Sequence, residues 1–175
     1  ASSAASDVYK RQRDKIRHNT AGGIFLGAAA GYYIGMKEAF IRVWVNNVRK
    51  SKFQLLQENL IMMDRSRMDE KALEEMFHVI EKKKVKCLVG YSSALGELSE
   101  YIRKTGRDIS RWSVEMVFSM GEALPQETYD LTKELFGFSP VRSYGNNENG
   151  FIAIQLDEDP EYTVCLLYTS PSPRD

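Results

Sequence analysis

From residue 60 onward, short apolar runs alternate with longer amphipathic stretches, and this alternation constrains the fold more than any other feature. Runs the length of buried strands are Leu60–Met63, Val85–Val89, Val114–Phe118, Val141–Tyr144 and Phe151–Gln155. Stretches of helical length separate the first four of these runs. Strands that alternate with helices at this spacing indicate an α/β fold, with a mainly parallel sheet and flanking helices.

The predicted helices carry recognisable start and stop signals. Asp69 is a suitable N-cap for a helix with one apolar face, because its carboxylate can accept from the first free backbone N–H groups. A second helix is predicted over Ala94–Lys104. A third is predicted from Pro125, as its first residue, to Phe136, and Gly137 then ends it.

Residues 19–50 give a less regular signal. Asn19–Met36 is uncharged and has a glycine at every fourth position from Gly23 to Gly35. We predict a short buried strand near Ile24–Leu26, followed by a Gly/Ala-rich loop, because glycine interrupts regular structure. A membrane helix with a face of small residues, as in a membrane-anchored interaction protein, is the alternative. Lys37–Lys50 is predicted to be helical because its apolar residues recur near helical spacing.

The composition excludes several classes of protein. The chain has 24 Lys and Arg against 24 Asp and Glu, so bulk basicity cannot drive nucleic-acid binding. Apolar residues make up 43% and charged residues 27%, which is ordinary for a globular protein and excludes disorder as the main state. Two cysteines, Cys87 and Cys165, provide neither a disulfide framework nor a metal cluster. A reducing compartment, the cytoplasm, is therefore expected.

The two ends of the chain do not fit the pattern of the rest. Ser2–Gln12 and Cys165–Asp175 resemble in-frame translations of sequencing-adapter DNA, so residues 1–12 and 165–175 are expected to be non-native. The native part is then 13–164, about the size of one domain. We expect this part to be an internal piece of a longer protein.

Polar, glycine-containing segments follow three of the predicted strands. They are Gly90–Ser93, Ser119–Glu122 and Gly145–Gly150. Because ligands bind beyond the carboxyl ends of parallel strands, we predict that these three segments meet at one crevice. Glu122 and Glu148 offer oxygen ligands for a hard cation such as Mg²⁺. The sequence has neither GxGxxG nor GxxxxGK[ST], so no dinucleotide fingerprint and no P-loop is predicted.

Three motifs in these segments resemble those of one family. Tyr144–Glu148 reads YGNNE and resembles the Y-G-x-x-E element of adenylate-forming enzymes, the acyl-CoA synthetase superfamily. Ser119–Pro125 reads SMGEALP and is similar to the GGE-x-L-P loop on the adenine side. Val89–Leu95 reads VGYSSAL and is similar to G-Y-P-S-x-L of the phenylacetate-CoA ligase branch, which includes adenylate-forming proteins of capsular polysaccharide biosynthesis. The resemblance runs from about Phe53 to Gln155.

The resemblance implies part of the large N-terminal domain of an enzyme that activates a small carboxylic acid with ATP and Mg²⁺. The acyl group of the acyl adenylate would then pass to CoA, an amine or a hydroxyl. Glu148 is implied to be catalytic and to bind the metal. The implied nucleotide contacts are Ser119, Gly121, Glu122, Tyr144, Gly145 and Asn146. The implied contacts to the acid are Gly90, Tyr91 and Ser92.

The resemblance also implies elements that this sequence lacks. A phosphate-binding loop should precede Arg13, and a ribose-binding aspartate and a catalytic lysine should follow Val164. We therefore expect no ligase activity from the chain alone. The alternative reading is a non-catalytic α/β module that binds a nucleotide or a sugar nucleotide. Neither reading predicts a membrane span or a nucleic-acid partner.

Overall fold

A single seven-stranded sheet organises the part of the chain that the computed structural model describes, which is residues 17, 19–44, 50–146, 150–156 and 161–164. Its strands are β1 (Glu38–Arg42), β2 (Leu60–Asp64), β3 (Cys87–Tyr91), β4 (Met116–Met120), β5 (Val141–Asn146), β6 (Gly150–Gln155) and β7 (Thr163–Val164). The helices of the described part are α1 (19–29), α2 (Lys52–Gln57), α3 (Glu70–Lys83), α4 (Ser92–Thr105) and α5 (Gln126–Phe136). Both segments predicted to be non-native lie outside the described residues.

The strand order is β2-β1-β3-β4-β5-β6-β7. The first five strands in this order are parallel to one another. Strand β6 pairs antiparallel with β5, and β7 pairs antiparallel with β6. Helices α3, α4 and α5 connect parallel strands, as expected for crossover connections. The predicted α/β fold with a mainly parallel sheet and flanking helices is confirmed.

Each face of the sheet has its own apolar core. Alternation along the strands places Ile41, Leu88 and Val117 on one face, where they pack with α3 and α4. The opposite face presents Val89 and Phe118, which pack with α1 and the segment that follows it. The sheet is therefore covered on both faces, as parallel sheets generally are.

The strand predicted near Ile24–Leu26 is wrong, because residues 19–29 form a helix, α1. Leu26 is fully buried against the sheet, whereas Ile24 and Phe25 are 39% and 52% exposed. Packing of this one-sided helix outweighs the poor helix propensity of its glycines. Among the described residues, no helix is long and apolar enough to cross a membrane. Leu26 and Met36 pack on the sheet, which contradicts the membrane-anchor alternative.

The helix predicted over Lys37–Lys50 is also wrong, because β1 occupies Glu38–Arg42. Ala39 and Ile41 are buried on one face of the sheet, and Phe40 packs on the other. The same apolar residues satisfy both a helical and a two-residue period over so short a run. Pairing with β2 on one side and β3 on the other decides the conformation in favour of a strand.

The predictions from residue 60 onward are confirmed apart from shifts at the ends of elements. Asp69 caps α3, its carboxylate accepting from the backbone N–H of Ala72 at 2.9 Å. Gly106 and Gly137 end α4 and α5 with positive φ angles of 61° and 75°. Pro125 is the N-cap of α5 rather than its first helical residue. The short helix α2 was not predicted.

Candidate active site

The turns that follow β3, β4 and β5 meet at one edge of the sheet. The three strands are parallel neighbours, and Tyr91 at the end of β3 lies opposite Met120 at the end of β4. Between β4 and β5, the hydroxyl of Ser143 donates to the carbonyl oxygen of Ser119 at 2.7 Å. The predicted convergence of the three segments is therefore confirmed.

A cavity of about 580 Å³, the rim cavity, opens at this edge. Its volume is within the range of small-molecule sites. It is lined by Asn19, Arg42, Tyr91, Met120, Gly121, Ser143, Gly145, Asn146, Gly150 and Phe151. Four residues predicted from the motifs, Tyr91, Gly121, Gly145 and Asn146, thus share one cavity.

Gly121 brings the turn after β4 against the ring of Tyr91. Its φ angle is +74°, a conformation that side chains with a Cβ rarely adopt. A Cβ added to Gly121 would lie 2.6 Å from Cε1 of Tyr91, closer than any van der Waals contact allows. The close approach of these two turns therefore depends on glycine at this position.

Ser92 and Ser119 connect the turns from inside the protein. Their hydroxyl oxygens are 2.6 Å apart, and the hydroxyl of Ser92 donates to the carbonyl oxygen of Glu122 at 3.0 Å. Because the one proton of Ser92 goes to Glu122, Ser119 is the donor to Ser92. Both serines are buried, and neither lines the rim cavity. Their observed contacts position the turns.

The carboxylate of Glu122 caps helix α4. It accepts from the backbone N–H of Ser93 at 3.0 Å and from the Ser93 hydroxyl at 2.6 Å. The N-cap residue of α4, Tyr91, makes no side-chain cap of its own, so Glu122 supplies one from another loop. The hydrogen bond from the Ser93 hydroxyl is the main cause that lowers the pKa of Glu122, and Arg65 at 3.9 Å adds to it.

We expect Glu122→Gln to make the stability of the protein less sensitive to acid. The pKa of Glu122 is lower in the folded protein than its ordinary value of 4.5, so its contribution is full above that value. This contribution is lost as the pH falls through the folded pKa. Urea denaturation at neutral and acidic pH should therefore show a smaller acid loss for Glu122→Gln than for wild type. Glu127→Gln, in the first turn of α5, is the control and should behave like wild type.

Gly90 lies on the opposite face of the sheet from the rim cavity. A Cβ at this position would be 3.2 Å from the carbonyl oxygen of Ile41 and 3.5 Å from Cγ of Leu95. Of the three residues predicted to contact the acid, only Tyr91 lines the rim cavity. The role of Gly90 and Ser92 in binding the acid stays a prediction, and their observed contacts are with core residues and the turns.

The turn after β5 presents a different set of groups. Tyr144 is 62% exposed and does not line the rim cavity, although its neighbours Ser143 and Gly145 do. Gly145 packs so closely on β6 that a Cβ would collide with the carbonyl oxygen of Gly150. Glu148 lies outside the described residues. Within the described ranges, no three His, Cys, Asp or Glu residues are grouped as metal ligands. The Mg²⁺ site stays a prediction.

Arg42 is a site residue that the sequence reasoning missed. It ends β1 at the rim cavity, with its guanidinium 5.4 Å from the ring centre of Phe40 and 5.3 Å from that of Trp44. Its Nε atom is buried and has no hydrogen-bond partner in the described part of the chain. Reading Glu38–Arg42 as a strand would have placed Arg42 at the same edge as the motifs.

Comparison with known proteins gives matches among solved structures. An amide bond synthetase from Marinactinospora thermotolerans is 16% identical over 78% of this chain and 27% of its own, with a TM-score of 0.56. A 2-hydroxyisobutyryl-CoA ligase, solved with its acyl adenylate and CoA, is 11% identical over 82% of this chain and 34% of its own, with a TM-score of 0.60. The chain therefore has the fold of part of these two enzymes.

The chain is also similar in fold to an enzyme that is not named as a ligase or a synthetase. A luciferase-like enzyme from the mealworm Zophobas morio is 17% identical over 79% of this chain and 32% of its own, with a TM-score of 0.52. The chain thus spans about a third or less of each of these proteins. At such identities the likeness concerns the fold. Searches of protein families and of curated proteins gave no match.

Proposed function

We propose that this chain is part of an enzyme that activates a carboxylic acid with ATP, forming an acyl adenylate and pyrophosphate. The observation that carries the proposal is the meeting of three motif-bearing turns at one cavity. Tyr91, Gly121 and Gly145 come from different motifs, and all three line the rim cavity. The shared fold with adenylate-forming enzymes supports the same reaction type.

In the proposed reaction, a carboxylate oxygen of the acid attacks the α-phosphorus of ATP. The bond from that phosphorus to the oxygen bridging to the β-phosphate breaks, and this oxygen leaves with the electron pair as part of pyrophosphate. The exposed Tyr144, beside the rim cavity, would stack on the adenine, and Gly121 in the cavity would let backbone approach the purine edge. Glu148 would hold Mg²⁺, which offsets negative charge on the phosphates.

The proposal has finer parts that come from the motifs. The G-Y-S-S segment favours an acid ligase of the phenylacetate-CoA ligase kind, related to the adenylate-forming proteins of capsular polysaccharide biosynthesis, with CoA as the acceptor. The chain by itself is proposed to be inactive as a ligase. A cytoplasmic setting agrees with the buried free thiol of Cys87, whose pKa is raised by burial.

Exchange of pyrophosphate into ATP tests this proposal, because adenylation is reversible while the acyl adenylate stays bound. A longer protein that contains this chain should incorporate labelled pyrophosphate into ATP only when a suitable carboxylic acid is present. Saturable nucleotide binding without exchange, across a panel of aromatic and aliphatic acids, would contradict the proposal and favour the nucleotide-binding module.

A further inference from the structure

Helix α1 and the sheet enclose a second cavity of about 410 Å³, the inner cavity. Phe40, Val89 and Phe118 form its floor on the sheet, because alternation puts them on the face that α1 covers. Gly23 and Gly27, one turn apart on α1, form part of its roof. A Cβ at Gly23 would lie 3.5 Å from the ring of Phe151, and a Cβ at Gly27 would lie 3.2 Å from Cβ of Tyr32, so the glycines let α1 approach these side chains closely.

The inner cavity adjoins the rim cavity. Asn19, Met120 and Phe151 line both, so these side chains lie where a ligand would pass from the edge of the sheet towards its interior. The two cavities together can therefore take an acid whose carboxylate stays at the rim and whose body lies under α1. This placement rests on the proposed function.

Strand β1 puts opposite charges at the two ends of this path. Glu38, Phe40 and Arg42 alternate onto the face covered by α1, with Arg42 in the rim cavity and Glu38 in the inner cavity. Four residues of strand separate the charges by ~13 Å. The carboxylate of a bound acid would lie near the guanidinium of Arg42, and the far end of the same acid would lie near the carboxylate of Glu38. Lys50 also lines the inner cavity.

The carboxylate of Glu38 lines the inner cavity and is half-buried. Among the described residues, no group donates a hydrogen bond to its carboxylate. The nearby ammonium of Lys50 donates instead to Glu58. Burial is the main cause that raises the pKa of Glu38, and the positive charge of Lys50 partly opposes this shift. An unsatisfied acceptor in such a place gains from any donor that a ligand supplies.

We propose that Glu38 selects acids that carry a hydrogen-bond donor, a hydroxyl or an amino group, at the end remote from the carboxylate. The apolar floor between Arg42 and Glu38 binds the chain or ring that joins the two ends. An acid with a purely apolar end covers the half-buried carboxylate of Glu38 and offers it no hydrogen-bond donor. The selectivity therefore comes from the cost of that unsatisfied carboxylate.

Calorimetric titration of the full chain with three matched acids tests this inference. The probes are octanoate, ω-hydroxyoctanoate and ω-aminooctanoate. We expect the hydroxy or the amino acid to bind ~10-fold more tightly than octanoate, because a hydrogen bond to a charged partner outweighs the lost apolar contact. A preference shared by both supports a donor to Glu38 in general, and a preference for the amino acid alone identifies a cation as the favoured group.

Variants of Glu38 separate selectivity from folding. Glu38→Leu should reverse the order, with octanoate binding best, whereas the isosteric Glu38→Gln should keep a preference for the hydroxy acid and lose that for the amino acid. Gly23→Leu, which fills the inner cavity from α1, should lower the affinity for all three acids to the same extent. Glu134→Leu on the exposed surface of α5 is the matched control and should change none of the affinities.

Two results would overturn the inference. Equal affinities for the three acids in wild type would remove Glu38 as a selective residue while leaving the inner cavity as an acid site. Failure of all three to bind would remove the inner cavity itself. Neither result concerns pyrophosphate exchange, which tests the proposed reaction separately.

Discussion

Replacing Glu148 by alanine, in a longer protein that contains this chain, is expected to lower acid-dependent ATP–pyrophosphate exchange by about 10²-fold or more. In the proposed function, Glu148 binds the Mg²⁺ ion that offsets negative charge on the attacked phosphate. Without it, negative charge in the transition state loses its main compensation. The exchange rate at saturating ATP and acid measures this loss.

Two further variants make the Glu148 result specific. Glu148→Gln keeps an oxygen ligand but loses the charge, so an intermediate rate is expected. Glu127→Ala removes an exposed carboxyl from the first turn of α5 and should leave the rate unchanged. An exchange rate equal to wild type in Glu148→Ala would show that Glu148 takes no part in the reaction. It would also contradict the proposed binding of Mg²⁺ by Glu148.

Gly121→Ala is expected to lower the free energy of unfolding by about 2–5 kcal/mol. Of this, about 1–2 kcal/mol comes from placing a Cβ at a φ of +74°. The rest comes from overlap between the added Cβ and the ring of Tyr91. Overpacking of this kind typically costs about 1–3 kcal/mol. Urea denaturation at equilibrium, with the slope of the transition compared between variants, measures the difference.

A matched glycine and a double-mutant cycle isolate the contact with Tyr91. Gly106 has a φ of +61° but open space around it, so Gly106→Ala should cost about 1 kcal/mol from backbone strain alone. In a Tyr91→Ala background, Gly121→Ala should cost about as much as Gly106→Ala. An unchanged cost in that background would show that the turns after β3 and β4 do not touch.

The fold could be predicted where local signals agree with the packing. From residue 60 onward, caps such as Asp69 and stops such as Gly106 mark elements whose apolar periods are unambiguous. Before residue 60, the glycines of α1 lower its helix propensity. Strand β1 is too short for its apolar residues to distinguish a helical period from a two-residue period. Both elements get their conformation from contacts with the sheet, which a local pattern does not contain.

The candidate site could be predicted as a set of segments but not as a set of side-chain directions. The motifs located the turns, and strand adjacency then brought them together. Whether Gly90 faces the cavity or the core depends on register, and a shift of one residue reverses it. Glu122 shows the same limit, because its observed partner is the amino terminus of α4, which is remote in sequence.

Amide chemical shifts of the isotope-labelled chain, titrated with ATP, show whether the three turns bind the nucleotide together. We expect saturable changes that are largest at Tyr91, Gly121 and Gly145, the residues from three turns that line the rim cavity. The amino ends of the same strands, around Cys87 and Met116, should change least. Saturable changes centred on those amino ends, with the three turns unaffected, would contradict the account.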